Sequence, residues 1–171
     1  LVGVAVVLAT GVMKPKDAYG SVDWSILILI YGMLGLGTAM DATGASGLIA
    51  SLIASIGHLD IPESWRLVIV LACLYLATTI LTEILSNNAT IVLMAPIAIQ
   101  LGLALGVDPR PFIIAACIAS SASFSTPIGY QTNTYVYSVG GYRFADFLKV
   151  GIPLNGLYFL GTVLLVPHLW S

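Results

Sequence analysis

The amino-acid sequence predicts an all-α polytopic membrane bundle, for three reasons. Of the 171 residues, 58% are hydrophobic and only 8% are charged, whereas about a quarter of the residues in a soluble domain are charged. Long apolar runs alternate with short polar segments along the whole chain. Two of these runs are interrupted by hydroxyl and amide side chains, an arrangement typical of a re-entrant helical hairpin and of a broken transmembrane helix.

The first third of the chain predicts a partial span, a full span and a short amphipathic helix. Residues 1–12 are apolar but fall short of the ~20 residues that a spanning helix needs. We expect them to end a span that begins upstream and to lead into a polar loop over residues 13–23. Trp24 is expected to anchor a span that reaches Ala39. Residues 45–56 repeat apolar side chains at helical spacing but are too few to cross a bilayer, which predicts an interfacial helix.

A polar stretch between two apolar arms predicts the hairpin. The arms cover residues 67–85 and 89–106, after a polar loop at residues 58–66, and the polar stretch is Thr82–Thr90. Lipid offers no partner to a polar group, and each group left alone costs several kcal/mol. Such a stretch is therefore expected to line a cavity or a binding site.

A second polar stretch predicts the broken helix. The apolar segment at residues 111–123 runs into Thr126–Asn133, where proline, glycine and amide side chains cannot continue a regular helix. A turn at residues 140–143 then precedes the final span, residues 147–170, in which Pro153 predicts a bend.

These two stretches, the first and the second break, have the chemistry of an ion-coupled transport site. A break exposes carbonyl oxygens at one helix C-terminus, which suit Na⁺, and N–H groups at the next N-terminus, which suit an anion. Two breaks that face each other at mid-membrane are the usual layout in secondary transporters. Neither break contains Lys, Arg or His, so co-bound cations would supply the positive charge for an anion. The candidate side chains, which can serve either ligand, are Ser86, Asn87, Asn88 and Thr90 in the first break and Thr126, Gln131, Thr132 and Asn133 in the second.

Two interpretations of Glu83, which lies within the first break, stay open. An intramembrane carboxylate could couple proton movement to transport, or it could accept hydrogen bonds that brace the hairpin tip. The polar clusters themselves could instead bind neighbouring helices in an assembly subunit that carries no substrate. A net charge of -2 argues against nucleic acid as a partner. The sequence shows neither a nucleophile–base pair nor a phosphate-binding loop, so it does not predict an enzyme.

Both breaks resemble one known family. Thr82–Thr90, with the pattern Thr-Glu-x-x-Ser-Asn-Asn-Ala-Thr and a following Pro96, resembles the Ser-Asn-Thr hairpin signature of the divalent anion–sodium symporters. Residues 126–133, followed by Gly-Gly-Tyr-Arg-Phe at residues 140–144, resemble the unwound helix of bacterial permeases in that group. The family belongs to a superfamily of ion transporters that also holds citrate and arsenite permeases.

The resemblance implies a protein of two inverted repeats, each with a re-entrant hairpin and a broken helix. Residues 1–171 would be the C-terminal repeat of such a transporter. Its partners would be the lipid bilayer, the N-terminal repeat of the same parent chain and a second copy in a homodimer. The resemblance further implies a location in a bacterial-type inner membrane and an elevator-like movement of the substrate domain.

The resemblance also implies which residues bind the ions. A sodium site would be formed by Thr82, the Leu85 backbone, Asn87 and the Gly129 backbone, and no organic cofactor is expected. Together with the side-chain chemistry above, the candidate substrate residues are Ser86, Asn87, Asn88, Thr90, Thr132 and Asn133. Asn88 replaces the threonine of the dicarboxylate carriers, and Asn-Asn is a pattern of citrate- and sulfate-type permeases. The expected cargo is therefore a dicarboxylate, citrate or sulfate, with proton-coupled antiport or arsenite-type permeation as the alternatives.

Overall fold

The computed structural model describes residues 2–22, 24–56 and 62–169, in which all regular secondary structure is helical. The all-α prediction is therefore confirmed. The helices are α1 (Val2–Ala9), α2 (Pro15–Gly20), α3 (Trp24–Ala42), α4 (Ala45–Ile56), α5 (Glu63–Thr82), α6 (Asn87–Leu105), α7 (Arg110–Ser121), α8 (Gln131–Gly140) and α9 (Phe144–Leu169).

The predicted elements differ from the structure by an additional short helix and by helix ends that are displaced by about one turn, among them the start of α9 at Phe144 instead of residue 147. The loop predicted at residues 13–23 contains α2, which begins with Pro15, a residue that fits the first turn of a helix. The span predicted to end at Ala39 continues to Ala42 and so includes Asp41. The loop predicted at residues 58–66 gives way to α5 at Glu63, while residues 57–61 lie outside the described part of the chain.

Three helices are each long and apolar enough to cross a membrane, judged by the length and composition of the described residues: α5, α6 and α9. α3 and α4 form a pair bent by 70°, which would add a fourth crossing if the pair were one span. The joint includes Gly44, whose φ of 75° is strained for other residue types. The interfacial position of α4 stays a prediction.

α6 and α7 lie at the centre of the bundle. α6 packs against α3, α4, α5 and α7, and α7 packs against α5, α6 and α9. The largest fully buried side chains of this core include Leu71, Tyr75, Leu101 and Phe112. The fully buried alanines of α7, Ala115, Ala116 and Ala119, permit the close helix approach that membrane packing favours.

α7 is too short to cross the hydrocarbon core of a membrane by itself. The helix follows a polar loop in which exposed Arg110 lies 3.6 Å from Asp108, as expected at a membrane surface. Its 12 residues extend for about 18 Å, short of the ~30 Å hydrocarbon core. The C-terminus of α5 contacts the end of α7, where the Thr82 hydroxyl donates to the Ser120 carbonyl. α5 and α6 are each long enough to cross a membrane by length and composition, so the re-entrant hairpin stays a prediction.

We expect Gly151→Ala on α9 to destabilise the protein, because its methyl group would overlap the carbonyl of Phe124 in the second break. Overpacking of this kind costs about 1–3 kcal/mol. Gly156→Ala is the matched control on the same helix, since a Cβ there meets no atom within 4 Å. Thermal unfolding of the full-length protein in detergent should show a lower melting temperature only for Gly151→Ala. Equal melting temperatures for the two variants would contradict this packing.

Candidate functional site

The tip of the α5–α6 hairpin is formed by residues 83–86. α5 ends at Thr82, and α6 begins at Asn87 because Ser86 caps it. The Ser86 hydroxyl accepts a hydrogen bond from the Ala89 N–H at 3.2 Å, which satisfies one of the free donors of the first turn. The positive end of the α6 dipole therefore lies at the tip.

The second break covers residues 122–130 and is held by side chains of the following helix. The Asn133 amide donates to the carbonyls of Ser123 at 2.9 Å and Thr126 at 3.1 Å, and the Thr134 hydroxyl donates to the Pro127 carbonyl at 2.8 Å. Carbonyls that lack helical partners are thus satisfied inside the protein. The predicted break extended to Asn133, which is wrong, because residues 131–133 form the first turn of α8.

The hairpin tip and the second break meet at a cluster of oxygen atoms. Thr82 is fully buried and donates its hydroxyl to the Ser120 carbonyl at 2.6 Å. The side-chain amide of Asn87 lies 2.8 Å from Thr82 Oγ1, 3.1 Å from Ser120 O and 3.3 Å from Gly129 O. We name these groups the oxygen cluster: Thr82 Oγ1, the Asn87 amide, Ser120 O and Gly129 O.

The Asn87 amide can face the oxygen cluster in two ways. With its NH₂ group turned inward, its two protons face three acceptor oxygens at 2.8–3.3 Å; with its oxygen turned inward, the amide adds a fourth oxygen to the group. Neutral carbonyl, hydroxyl and amide oxygens are ligands that a hard cation prefers. The chemistry of this donor set therefore fits a sodium ion.

Three of the four predicted sodium-site residues are brought together: Thr82, Asn87 and Gly129. Leu85 lies in the tip, where its N–H donates to the Leu81 carbonyl at 2.7 Å. Sequence reasoning missed the Ser120 carbonyl as a member of the cluster. The resemblance implied backbone groups at Leu85 and Gly129 but not at Ser120, which the contact with Thr82 identifies.

A cavity of about 290 Å³ lies between the N-terminus of α6 and the second break. Its size is near the lower end of the range for small-ligand pockets. Two predicted substrate residues, Asn87 and Asn133, line it, and the other lining residues are Ser121, Ser123, Phe124 and Tyr130. Ser123 is 2% exposed, and its hydroxyl finds no hydrogen-bond partner in the described part of the chain. The run of serines before Thr126 was the available sequence signal for these additional residues.

The remaining predicted substrate residues do not line this cavity. Asn88 and Thr132 are exposed, and Thr90 is fully buried with a hydroxyl that has no partner among the described residues. Ser86 is exposed at the tip, where its hydroxyl serves as the cap of α6. Their contribution to substrate binding stays a prediction.

Glu83 connects the hairpin tip to the second break. Its carboxylate accepts hydrogen bonds from the Ser125 N–H at 3.0 Å, the Thr126 hydroxyl at 2.6 Å and, more weakly, the Asn155 amide at 3.5 Å. These contacts are those of a bracing residue, and they tie the hairpin tip to the second break and to α9. A role of Glu83 in proton coupling stays a prediction.

One family model and several curated proteins match this chain. A family model described as citrate transporter matches residues 1–119. The chain is 47% identical, over 99% of its length and 27% of the relative, to an uncharacterized transporter of Synechocystis sp.. It is 32% identical to sodium/sulfate cotransporter 1 of Chlamydomonas reinhardtii, over 97% of its length and 19% of the relative. It is 29% identical to solute carrier family 13 member 1 of Mus musculus, over 82% of its length and 22% of the relative. The chain thus spans about a quarter or less of these curated relatives.

Gly129→Ala is expected to disrupt the oxygen cluster, because its methyl group would overlap the Ser123 hydroxyl and lie 2.9 Å from Glu83 Oε2. The Gly129 carbonyl would then move away from Asn87, and sodium would no longer raise the melting temperature of the full-length protein above its value in potassium.

The double variant Gly129→Ala/Ser123→Ala provides the internal control. It removes the overlapping oxygen and leaves the Cβ of residue 123 at 3.2 Å, so part of the sodium response should return. A wild-type sodium response in the Gly129→Ala variant would show that the close approach is not required.

Proposed function

Because this chain belongs to the citrate transporter family of divalent anion–sodium symporters, we propose that it forms the C-terminal repeat of a secondary active transporter. The transporter moves a small di- or polyvalent anion together with sodium. The observation that carries this proposal is the convergence of Thr82, Asn87, Ser120 O and Gly129 O from two separate breaks. That convergence is what a cation bound between unwound helices requires.

Sodium binds the oxygen cluster in this proposal. Thr82 and Asn87 supply side-chain oxygens, while Ser120 and Gly129 supply carbonyl oxygens from the end of α7 and from the second break. None of these ligands is charged, so the bound ion keeps its full positive charge in a low-dielectric setting. The ion also joins elements that are separated by more than thirty residues in the chain, and thereby holds the hairpin tip against the break.

The anion binds in the adjoining cavity, where Asn87 presents its amide group and Ser121 and Ser123 present hydroxyls; the Asn133 amide protons are already directed at backbone carbonyls. The cavity residues in the described part of the chain include no basic side chain. Attraction for an anion therefore comes from the sodium ion, the N-termini of α6 and α8, and neutral donors. The N-terminal repeat of the parent chain contributes the other wall.

Asn87 couples the two ligands, since its amide faces the oxygen cluster and also lines the cavity. A sodium ion in the cluster attracts the amide oxygen and turns the NH₂ group toward the cavity. The anion then gains a donor as well as a nearby positive charge. By thermodynamic reciprocity, the anion raises the affinity for sodium by the same factor.

The cargo that fits is dicarboxylate, citrate or sulfate. The matched family is described as citrate transporter and two relatives are named sodium/sulfate cotransporters, so both anion types belong in the first assay. Polar residues of the two breaks contact each other beside a cavity, and this arrangement favours ligand binding over a subunit that only binds neighbouring helices.

The protein is integral to the membrane. We further propose that it forms a homodimer in a bacterial-type inner membrane.

The direct test is uptake of labelled sulfate, citrate and succinate by the reconstituted full-length transporter, with sodium compared with potassium outside. Asn87→Ala should abolish sodium-driven uptake. Asn87→Asp keeps an oxygen for the cation but turns a negative charge toward the cavity, so the KM for the anion should rise by roughly 10- to 100-fold. Sodium should still raise the melting temperature of this variant.

The control is Ser138→Ala, which removes an exposed hydroxyl that contacts only its own helix, at the Tyr135 carbonyl. Its uptake should equal that of the wild type. Uptake that is indifferent to sodium and follows a proton gradient would refute the sodium proposal and favour the proton-coupled alternative.

A further inference from the structure

We propose that Glu83 is a positioning residue of the sodium site, which holds the Gly129 carbonyl against Asn87 through the hydroxyl of Thr126. This inference rests on the proposed function, since it concerns the affinity of that same site for sodium. In this role, Glu83 acts by accepting hydrogen bonds with its carboxylate oxygens and does not exchange protons during transport.

The hydrogen bonds form a directed relay. The Thr126 hydroxyl donates to Glu83 Oε2 at 2.6 Å and accepts from the Gly129 N–H at 3.1 Å. A hydroxyl has one proton to donate and two lone pairs that accept. Because Glu83 accepts the hydrogen bond from that proton, the hydroxyl is oriented with a lone pair toward the Gly129 N–H. Hydrogen bonds to an ionised carboxylate are shorter and stronger than neutral ones. The carboxylate therefore fixes Thr126, and Thr126 fixes Gly129.

Packing restricts Gly129 on a second side. A Cβ on this residue would overlap the Ser123 hydroxyl and lie 2.9 Å from Glu83 Oε2, so both atoms approach the glycine closely. Gly129 is buried, and its carbonyl lies 3.3 Å from the Asn87 amide. The residue is thus held between Glu83 and Ser123 on one side and Asn87 on the other.

The second carboxylate oxygen is anchored independently. Glu83 Oε1 accepts from the Ser125 N–H at 3.0 Å, and the Asn155 amide of α9 donates to Ser125 Oγ at 2.7 Å. The Ser125, Thr126 and Asn155 donors to the carboxylate are uncharged. Glu83 is not among the residues of the oxygen cluster or of the cavity wall. It acts on the cation through other residues, as outer partners of metal ligands do.

The test uses Glu83→Gln in the reconstituted full-length transporter. Glutamine keeps one acceptor oxygen, but its NH₂ group cannot accept the Thr126 proton. The sodium concentration for half-maximal uptake should rise roughly 10- to 100-fold, while the pH profile of uptake at saturating sodium keeps its shape. Sodium-dependent thermal stabilisation should require the same higher concentration.

Variants of Thr126 separate positioning from a general loss of folding. Thr126→Val removes the relay and should raise the sodium concentration for half-maximal uptake as much as Glu83→Gln does. The double variant should show little further increase, because both substitutions interrupt the same relay. Thr126→Ser retains the hydroxyl and should behave as the wild type. Asp41→Asn is the matched control, since Asp41 is another acid of a membrane helix and its carboxylate contacts Ser46 instead.

Each other outcome overturns the inference. A wild-type sodium requirement in Glu83→Gln refutes the relay while leaving sodium-coupled transport intact. An unchanged sodium requirement with a flattened pH profile assigns Glu83 to proton coupling instead. If the wild-type protein shows no response to sodium at all, the proposed function and the relay both fail.

Discussion

The rest of this structure depends on the lack of water in the hydrocarbon core, which forces every buried backbone polar group to find a partner within the protein. Helices meet this requirement automatically, but residues 122–130 are not helical. Asn133 and Thr134 donate to carbonyls of this segment, and Glu83 accepts from one of its N–H groups. An unwound segment can persist inside the bilayer because these side chains replace the missing helical hydrogen bonds.

This requirement divides the polar side chains into those that support the site and those that remain free for a ligand. Both protons of the Asn133 amide are directed at backbone carbonyls, and the Ser86 hydroxyl is used as a helix cap. Ser123, in contrast, lines the cavity with a hydroxyl that has no partner in the described residues. Sequence composition counts all of these groups alike, so it overstates the number that can bind an ion.

The helices and both breaks could be predicted from the sequence, because hydropathy, Pro127 and Gly129 act locally. The start of α8 at Gln131 could not be predicted, because amide side chains suit both a break and the first turn of a helix. The cavity wall at Ser121 and Ser123 depends on which face of α7 meets the hairpin tip, which is a long-range contact. The same holds for the Glu83–Asn155 contact, whose partners are separated by 72 residues. The positions of the helices and breaks could be predicted from local residues, whereas the long-range contacts between them required the three-dimensional structure.

The lack of basic side chains on the cavity wall in the described residues is itself a reason to expect obligatory coupling. A lysine or arginine there would attract the anion permanently, and the anion could then bind and cross without sodium. Here the nearest formal charge in contact with the break is the carboxylate of Glu83, which repels an anion at low dielectric. In the proposed transporter, this wall becomes attractive to an anion once a cation occupies the oxygen cluster. Because the cluster ligands are neutral and Glu83 contributes a half-buried carboxylate, we expect anion binding to this wall to require sodium.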